Sequence, residues 1–591
     1  MKDSSLLVIS PDKNFLDSSK DIFLLGQWCN TLDFEKFLSK KNIDQLSHHW
    51  TRQSKRAKDY LYLTRLNNDI TKQLVRKLNL IHKTNFSESF WRKVIGPWLA
   101  SYLPLIYDRW EIISDLEKIN KKFHTYDYHD KKTLSPETFD NFQSEFIHND
   151  YWNHRLFIDI IEFKSLENID LKVIEKVNTA ESRIKRAAST SLREKFKCLI
   201  DPFLSVFDFK PKILIYGSQL SIKDLILLSI KLGQIPRLYS FLLPKKNGSE
   251  ISRNKIIRLN KTKLKKKSFE EFLYQRIFMD MPQSYLENFN SIYSLKKKFN
   301  GKVIYTSNAH LHNDFFNIWS ARKVEEEQVV LITGQHGGAI KSSNRVFDHE
   351  ETISIFHVVW HKLIKPQQVR LPSISKFLKF SSIDKRSDPR SLLLIGYEVG
   401  SYIYSAQSGP VGNNIMRDFD QKIKFISHLN KKIFNALEIS VKKYEGIGNY
   451  FCSYSRYRDA IPEVKIHSDA CTKHFNDANI IVCTYPQTTF LEAMLSGVPT
   501  ILLYRKEDWA LDKNFDDLIK RLVENNILFF SAKKASEHIN SIWNNPVMWW
   551  NNSDVIAARN LFFSECFENQ DYKLDKWANF FNEVYTNKRL S

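Results

Sequence analysis

Glycine is scarce in this chain, and its few positions constrain the fold more than any other feature of the sequence. The 591 residues include 16 glycines, whereas average usage of about 7% would give roughly 41. Because glycine allows sharp turns and close backbone approach, each position in so poor a chain indicates a local requirement. Three of the sixteen lie in residues 334–338, Gly-Gln-His-Gly-Gly, directly after the apolar run 329–333.

Short apolar runs that end in turns indicate buried strands, and the segments between several of them show the apolar spacing of helices. Strands that alternate with helices predict doubly wound parallel sheets. We therefore expect an α/β protein with two Rossmann-like domains that face a cleft, a large helical insertion in the N-terminal half and C-terminal helices. The runs are 5–9, 212–216, 302–306, 329–333, 391–395, 480–483 and 500–503.

Changes in composition along the chain predict where the segments begin and end. Residues 31–205 contain almost no glycine and show helical periodicity, whereas residues 365–390 are rich in Pro, Ser and Lys and indicate a linker. The predicted segments are 1–30, the first strands of the N-terminal α/β domain; 31–205, a mostly helical block; 206–375, the N-terminal Rossmann-like domain on the acceptor side; 390–545, the C-terminal Rossmann-like domain on the donor side; and 546–591, the C-terminal helices.

The net charge of +21 fits three classes of partner, namely nucleic acid, an anionic membrane surface and anionic substrates. Six scattered cysteines without a Cys-x-x-Cys pair predict reduced thiols and no zinc site. No apolar run approaches the roughly 18 residues that span a bilayer, so we expect a cytoplasmic protein. The basic stretch 253–267 is either a solvated loop or a peripheral contact with the anionic inner membrane.

The glycine-rich turn at 334–338 is the first candidate site. In doubly wound sheets, ligands bind outside the carboxyl ends of the strands. Gly337 and Gly338 would let the backbone approach an anion and leave N–H groups free to bind it. His336, between the strand and these glycines, is a candidate general base or a candidate hydrogen-bond donor to a phosphate. The alternative is a tight turn with a structural histidine.

The second candidate site follows the strand at 480–483. Thr488 and Thr489 would begin a helix, where free N–H groups and hydroxyls bind phosphate. Glu492, one turn later, would face the same way and accept hydrogen bonds from ribose hydroxyls. The alternative is ordinary N-capping by Thr488 with an exposed Glu492.

Residues 480–500, with Thr-Thr-x-Leu-Glu-Ala followed by Gly-Val-Pro-Thr, resemble the nucleotide-sugar half of GT-B glycosyltransferases. More of the chain resembles the transferases of O-antigen and surface-polysaccharide gene clusters. That resemblance implies a GT-B-like fold, a nucleotide-sugar donor at the second site, and no cofactor or bound metal. The residues that carry it are 25–29, His49-Trp50, Trp91-Arg92, Gly96-Pro97-Trp98, Asp108-Arg109-Trp110, 335–338, 488–500, Trp549-Trp550, Ala557-Ala558-Arg559 and Phe562.

Two further residues complete the predicted site. The family's Arg-rich turn is reduced here to residues 455–459, in which Arg456 is a candidate ligand of the donor phosphate. Asp314 follows a strand within the His-rich loop 310–314, and we expect it to contact the acceptor or to cap the next helix. A metal site built from this loop is conceivable, but we predict none.

We therefore expect a glycosyltransferase that moves a sugar from a nucleotide-activated donor to a surface-polysaccharide or lipid-linked acceptor. One alternative is a glycerol-phosphate transfer from a CDP-linked donor. The other is a basic scaffold or nucleic-acid-binding protein, although no nucleic-acid-binding motif is visible and we predict no nucleic-acid partner.

Overall fold

The computed structural model describes residues 4–586 except 39–40, 129–133, 175–211, 244–250, 261–266, 296, 298, 343–345, 376–389, 406–408 and 445–448. Residues 175–205 of the predicted helical block, 261–266 of the basic stretch and most of the predicted linker therefore lie outside the described residues.

Three parallel sheets organise the described residues, which confirms the α/β class. The first sheet has the order β3-β2-β1-β4-β5, the second β10-β9-β8-β7-β6 and the third β13-β12-β11-β14-β15-β16. The strands are β1 Ser5–Val8, β2 Asp21–Leu24, β3 Asn42–Gln45, β4 Phe123–Tyr128, β5 Ile169–Ile174, β6 Ile213–Ile215, β7 Val303–Thr306, β8 Val330–Gly334, β9 Phe356–Val359, β10 Gln368–Arg370, β11 Ser391–Ile395, β12 Leu437–Ser440, β13 Lys465–His467, β14 Ala478–Cys483, β15 Thr500–Leu503 and β16 Leu528–Phe529.

The first sheet corrects the expectation for the N-terminal half. β1 and β2 do not join the strands of residues 213–370; they pair with β3, β4 and β5 from the block expected to be mostly helical. Sequence periodicity missed these strands because β3 is largely exposed and β4 is half polar. We call the parts of the chain that carry the three sheets the first unit (residues 4–174), the second unit (212–375) and the third unit (390–566).

The strand order of the third sheet creates a place for a ligand. The chain runs outward from β11 through β12 to β13, and then returns to the other side of β11 with β14. At such a reversal the loops after the two central strands separate and leave a crevice at the carboxyl edge. The turn after β14, which begins at Thr484, lies at this edge.

Helices cover the sheets and form most of the remaining described structure. The helices Gln53–His82 and Glu88–Glu117 pack against each other and form the crossover from β3 to β4. Among the described residues, the other α-helices of five or more residues are Leu32–Leu38, Asp150–Lys164, Ile222–Lys231, Arg253–Asn260, Phe269–Asp280, Phe289–Tyr293, Asp314–Glu327, His349–Ile353, Asn413–Ser427, Ser453–Ala460, Thr488–Leu495, Asp516–Glu524, Ala532–Ile542, Pro546–Trp550, Ser553–Cys566 and Lys573–Tyr585.

The C-terminal helix Lys573–Tyr585 crosses back to the second unit. Its Trp577 and Phe581 are buried in the same cluster as the strand residues Ile213 and Val303. The end of the chain therefore ties the third unit to the second. None of the described helices combines the length and apolar character that a membrane crossing requires.

Candidate active site

A cavity of about 590 Å³ lies between the second and third units, at the two turns that the sequence singled out. One wall is the segment after β8, and the other is the start of the Thr488–Leu495 helix. The lining residues are Gln219, Leu311, Gln335, His336, Gly337, Gly338, Ala339, Ile340, Lys341, Ser342, Asp348, His349, Glu350, Glu351, His361, Gln487, Thr488 and Trp509.

The two predicted turns touch each other directly. The backbone N–H of Gly338 donates a hydrogen bond of 2.7 Å to Oγ1 of Thr488. Gly338 has a φ of +102°, and a Cβ at Gly337 would lie 2.9 Å from the same hydroxyl. Glycine is therefore required at these two positions by backbone conformation and by close approach. The structure brings His336, Gly337, Gly338 and Thr488 around one cavity.

The Gln335 side chain holds the turn in this shape. Its Nε2 donates to the carbonyl of Gly337 at 3.0 Å, and its Oε1 accepts from the N–H of Trp360 at 3.1 Å. The carbonyl of His336 accepts from Nε2 of Gln219 at 2.8 Å. Both ends of the turn are thus fixed by side-chain amides, while the His336 ring stays 38% exposed towards the cavity.

Glu350 is the carboxylate nearest to His336 and was not singled out from the sequence. Its Oε1 lies 3.6 Å from Nδ1 of His336 and 3.5 Å from Nε2 of His310, and its Oε2 lies 3.8 Å from Nε2 of His357. These distances exceed those of good hydrogen bonds, but they bring three imidazoles around one carboxylate that is only 9% exposed.

The helix His349–Ile353 positions this carboxylate. His349, Glu350 and Glu351 are all buried, although such a run usually indicates a solvated surface. The His349 ring packs on Gly96, where a Cβ would lie 2.4 Å from it, and burial lowers its pKa to about 3. Glu351 lies 3.6 Å from Nζ of Lys341, a cation on the cavity wall.

The Thr488–Leu495 helix forms the opposite wall. Its N-cap, Gln487, makes no side-chain cap hydrogen bond, and Gln487 and Thr488 both line the cavity. Thr489 shares a hydrogen bond of 2.7 Å with the hydroxyl of Tyr485. Burial raises the pKa of Glu492 to about 7, so that this carboxyl is partly protonated near neutrality.

Comparison with known proteins assigns the chain to a family. The family model of the LIC12162 family transferase matches residues 5–581. The chain belongs to this family. No curated protein matches the sequence.

Solved structures similar to this LIC12162 family transferase are distant. One is described as a UDP-N-acetylglucosamine 2-epimerase from Listeria monocytogenes, with 9% identity and a TM-score of 0.35 over 64% of this chain and 97% of that one. A variant of the Thermobaculum terrenum O-GlcNAc transferase has 10% identity and a TM-score of 0.32 over 91% and 97% of the two chains. The Streptomyces sp. SF2575 glycosyltransferase SsfS6 has 8% identity and a TM-score of 0.28 over 60% and 94%.

Asp314 of this family member does not reach the cavity, contrary to expectation. It is 1% exposed, and its carboxylate accepts from the N–H of Phe139 at 2.9 Å and from the hydroxyls of Ser284 and Tyr285 at 2.5 and 2.7 Å. Burial raises its pKa to about 6. The residue ties the first unit to the second, because its oxygens are occupied by internal donors.

Arg456 is also a correction, because it lies away from the cavity. It is 6% exposed. Its guanidinium donates to the carbonyls of Phe451 and Asn30, both at 2.9 Å, and to Oε1 of Glu35 at 3.2 Å. Arg456 therefore joins the third unit to the first. Its guanidinium donates to protein oxygens rather than to a donor phosphate.

The histidine pair His48 and His49 forms a second buried cluster, around Asp108. Nε2 of each ring lies 2.8 or 2.9 Å from Oδ1 of Asp108. Nδ1 of His48 accepts from the N–H of Trp50 at 3.1 Å, so its proton is on Nε2 and points at the carboxylate. Asp108 is thus the shared carboxylate partner of both rings.

Proposed function

We propose that the protein is a cytoplasmic glycosyltransferase that moves a sugar from a nucleotide-activated donor to a surface-polysaccharide or lipid-linked glycan acceptor. Membership of a transferase family supports the reaction class. The observation that supports the proposal is the hydrogen bond from Gly338 to Thr488, which joins the two predicted turns at the lining of a cavity that His336 also lines.

In this scheme the donor diphosphate lies against the first turn of the Thr488–Leu495 helix. The positive end of the helix favours an anion there, and the side chain of the N-cap residue does not occupy the N–H groups of the first turn. Lys341, on the wall formed by the segment after β8, adds a positive charge. Glu492, one turn further along, would accept from the ribose hydroxyls once it is deprotonated.

His336 is the proposed base for the acceptor hydroxyl. Its ring lines the cavity and remains partly exposed, and Glu350 lies 3.6 Å behind Nδ1. A carboxylate behind one ring nitrogen stabilises the imidazolium that forms when the other nitrogen takes a proton. Transfer would then proceed by direct displacement at the anomeric carbon, with the nucleoside diphosphate as leaving group.

The donor class is tested by thermal-shift titration of the purified protein with UDP-, GDP-, dTDP-, CMP- and CDP-linked compounds. We expect stabilisation by one class of nucleotide sugar, weakened in Thr488→Ala and retained in His336→Ala. Stabilisation only by a CDP-linked glycerol compound would identify glycerol phosphate, rather than a sugar, as the transferred group. Tight, salt-dependent binding of oligonucleotides with no nucleotide-sugar response would contradict the enzyme and favour a scaffold.

A further inference from the structure

The buried ring of His49 has one nitrogen without a hydrogen-bond partner. Its Nε2 shares a hydrogen bond of 2.9 Å with Oδ1 of Asp108. Asp108 is ion-paired with Arg109, so the carboxylate accepts this bond and the proton is on Nε2. Nδ1 therefore carries a lone pair, and it is a buried atom with no partner among the described residues. This nitrogen is a ligand atom for a group that accepts a lone pair.

Two carboxylates lie close to that nitrogen. Oδ2 of Asp59 is 3.9 Å from it, and the ligand atoms of His49, Asp59 and Glu111 all lie within 4.8 Å of one another. Asp59 is buried, whereas the Glu111 side chain is 23% exposed. A lone pair and two carboxylates repel one another unless a cation lies among them.

Lys55 supplies part of that positive charge. Its Nζ lies 2.8 Å from Oδ2 of Asp59 and 2.8 Å from Oε2 of Glu111. One ammonium balances only one of the two negative charges, and it makes no hydrogen bond with Nδ1 of His49. The Lys55 side chain is 34% exposed, so it can turn towards solvent while the buried ligands stay in place. The group therefore already holds a cation, and that cation is exchangeable.

The two buried ligands are oriented by groups behind them. A histidine that binds a metal almost always donates its other ring N–H to a carboxylate or carbonyl, and Asp108 takes this part for His49. Nε1 of Trp50 donates to Oδ2 of Asp59 at 2.9 Å. This is the second layer of hydrogen bonds that a metal site requires.

A cavity of about 1000 Å³ in the first unit gives an ion access to this group. His49, Lys55, Asp59 and Glu111 all line it, and so do exposed residues such as Lys58. It shares no lining residue with the cavity between the second and third units. An ion bound here would therefore lie apart from the candidate active site.

We propose that His49, Asp59 and Glu111 bind a divalent transition-metal ion, Zn²⁺ or Mn²⁺, in exchange for the Lys55 ammonium. One imidazole with two carboxylates suits these ions better than Mg²⁺ or Ca²⁺, which prefer oxygen ligands alone. Bonds of about 2.0–2.2 Å to Zn²⁺ place ligand atoms roughly 3.3–3.6 Å apart, so the ion would draw the group slightly together. The site departs from the sequence prediction of no bound metal and is independent of the proposed sugar transfer.

An ion at this position would brace the contact between the first and third units. The N–H of His48, next to the proposed ligand His49, donates to Oδ1 of Asn413 at 3.0 Å. Arg56, on the same stretch, donates to the carbonyl of Gly409 at 3.0 Å. Because an ion that binds only the folded chain stabilises it, we expect the metal to raise the melting temperature.

The proposal is tested by isothermal titration calorimetry of the full chain, stripped with EDTA, against Zn²⁺, Mn²⁺ and Mg²⁺ in turn. We expect Zn²⁺ and Mn²⁺ to bind at least about tenfold more tightly than Mg²⁺. Glu111→Gln should weaken binding by at least about tenfold. Lys55→Met should tighten it by about tenfold, because the competing ammonium is gone. Both side chains are partly exposed, so the variants should fold, and circular dichroism checks this.

His474→Ala is the matched control. His474 belongs to the group His467, Asp469 and His474, which also has metal-ligand spacing but is more exposed. The control should leave the affinity unchanged. The proposal is overturned if neither Zn²⁺ nor Mn²⁺ binds, if Mg²⁺ binds as tightly, if Lys55→Met does not tighten binding, or if binding is lost in His474→Ala and kept in Glu111→Gln.

Discussion

The third unit meets its two neighbours in opposite ways. Against the first unit, buried guanidinium groups close the interface. Arg109 donates to the carbonyl of Ile403, Arg56 donates to the carbonyl of Gly409 at 3.0 Å, and Arg456 donates to Asn30 at 2.9 Å. Against the second unit, the contacts surround a cavity of about 590 Å³.

The two interfaces differ in whether side chains fill the space between the units. The arginines of the closed interface are almost fully buried, and their guanidinium groups donate hydrogen bonds to protein oxygens. On the open side, Nδ1 of His336 and Nε1 of Trp509 are buried atoms without a hydrogen-bond partner among the described residues. Polar groups that are held in place but unpaired cost stability, and they are what a ligand needs. The closed interface therefore holds the third unit, and the open one leaves room for a ligand.

Removal of the His336 ring should impair catalysis at the open interface and leave the contacts of the closed interface unchanged. For His336→Ala we expect turnover to fall about 10²–10⁴-fold, the usual contribution of a general base. Steady-state rates and the melting temperature would be measured together. His312→Ala is the control, because His312 bonds to Gln143 at 3.1 Å outside the cavity lining. Equal losses in the two variants would assign the effect to folding rather than to catalysis.

Truncating Arg109 should break the closed side. Arg109 pairs with the buried Asp108, and removing one member of such a pair leaves a buried charge without its partner. We expect Arg109→Ala to lose about 3–5 kcal/mol of unfolding free energy, measured by urea denaturation. Arg65→Ala, at an exposed arginine of the Gln53–His82 helix, should change it little. A loss below about 1 kcal/mol in Arg109→Ala would contradict the structural role.

A single glycine substitution where the second and third units touch should test the role of the open interface in donor binding. Gly338 and Gly233 both have positive φ, but a Cβ at Gly233 would meet only Nζ of Lys212, at 3.9 Å. Alanine at either position costs about 1–2 kcal/mol of backbone strain. We expect only Gly338→Ala to weaken donor binding, by about tenfold, because it alone disturbs the bond to Thr488. Isothermal titration calorimetry with the donor that the thermal-shift screen selects measures the affinity of each variant. Equal affinity in the two variants would contradict a role of Gly338 in donor binding.

The last prediction concerns pH and the half-buried Glu492. Its pKa is raised from 4.5 to about 7 in the folded protein, so the folded state holds a proton that the unfolded state has lost. The stability that this proton contributes is complete below about pH 4.5 and is lost as the pH rises through 7. We expect the stability of Glu492→Gln relative to the wild type to increase by about 2 kcal/mol between pH 5 and 8. A difference that is constant with pH would contradict the burial of this carboxyl.

Sequence reasoning located cavity-lining residues best where the backbone conformation restricts which residue type can occupy a position. Gly337, Gly338 and Thr488 were identified because turns at strand ends select glycine and because helix starts select hydroxyls. Asp314 and Arg456 were assigned wrongly, since their residue types fit a site equally well whether or not an internal partner occupies them. Glu350 was missed because an acidic run usually indicates solvent, and only the packing of the His349–Ile353 helix against Gly96 buries it.

The sequence by itself determined the α/β class, the strands β6, β7, β8, β11, β14 and β15 of the second and third units, and the two turns that line the cavity. These are local properties, set by apolar runs and by the conformational freedom of glycine. Only the tertiary structure decided that β1 and β2 belong to a sheet of their own, that Asp314 and Arg456 join units, and that Glu350 stands behind His336. Those outcomes depend on partners far away in the chain, such as His349 on Gly96 and Arg456 on Asn30, and no local pattern records them.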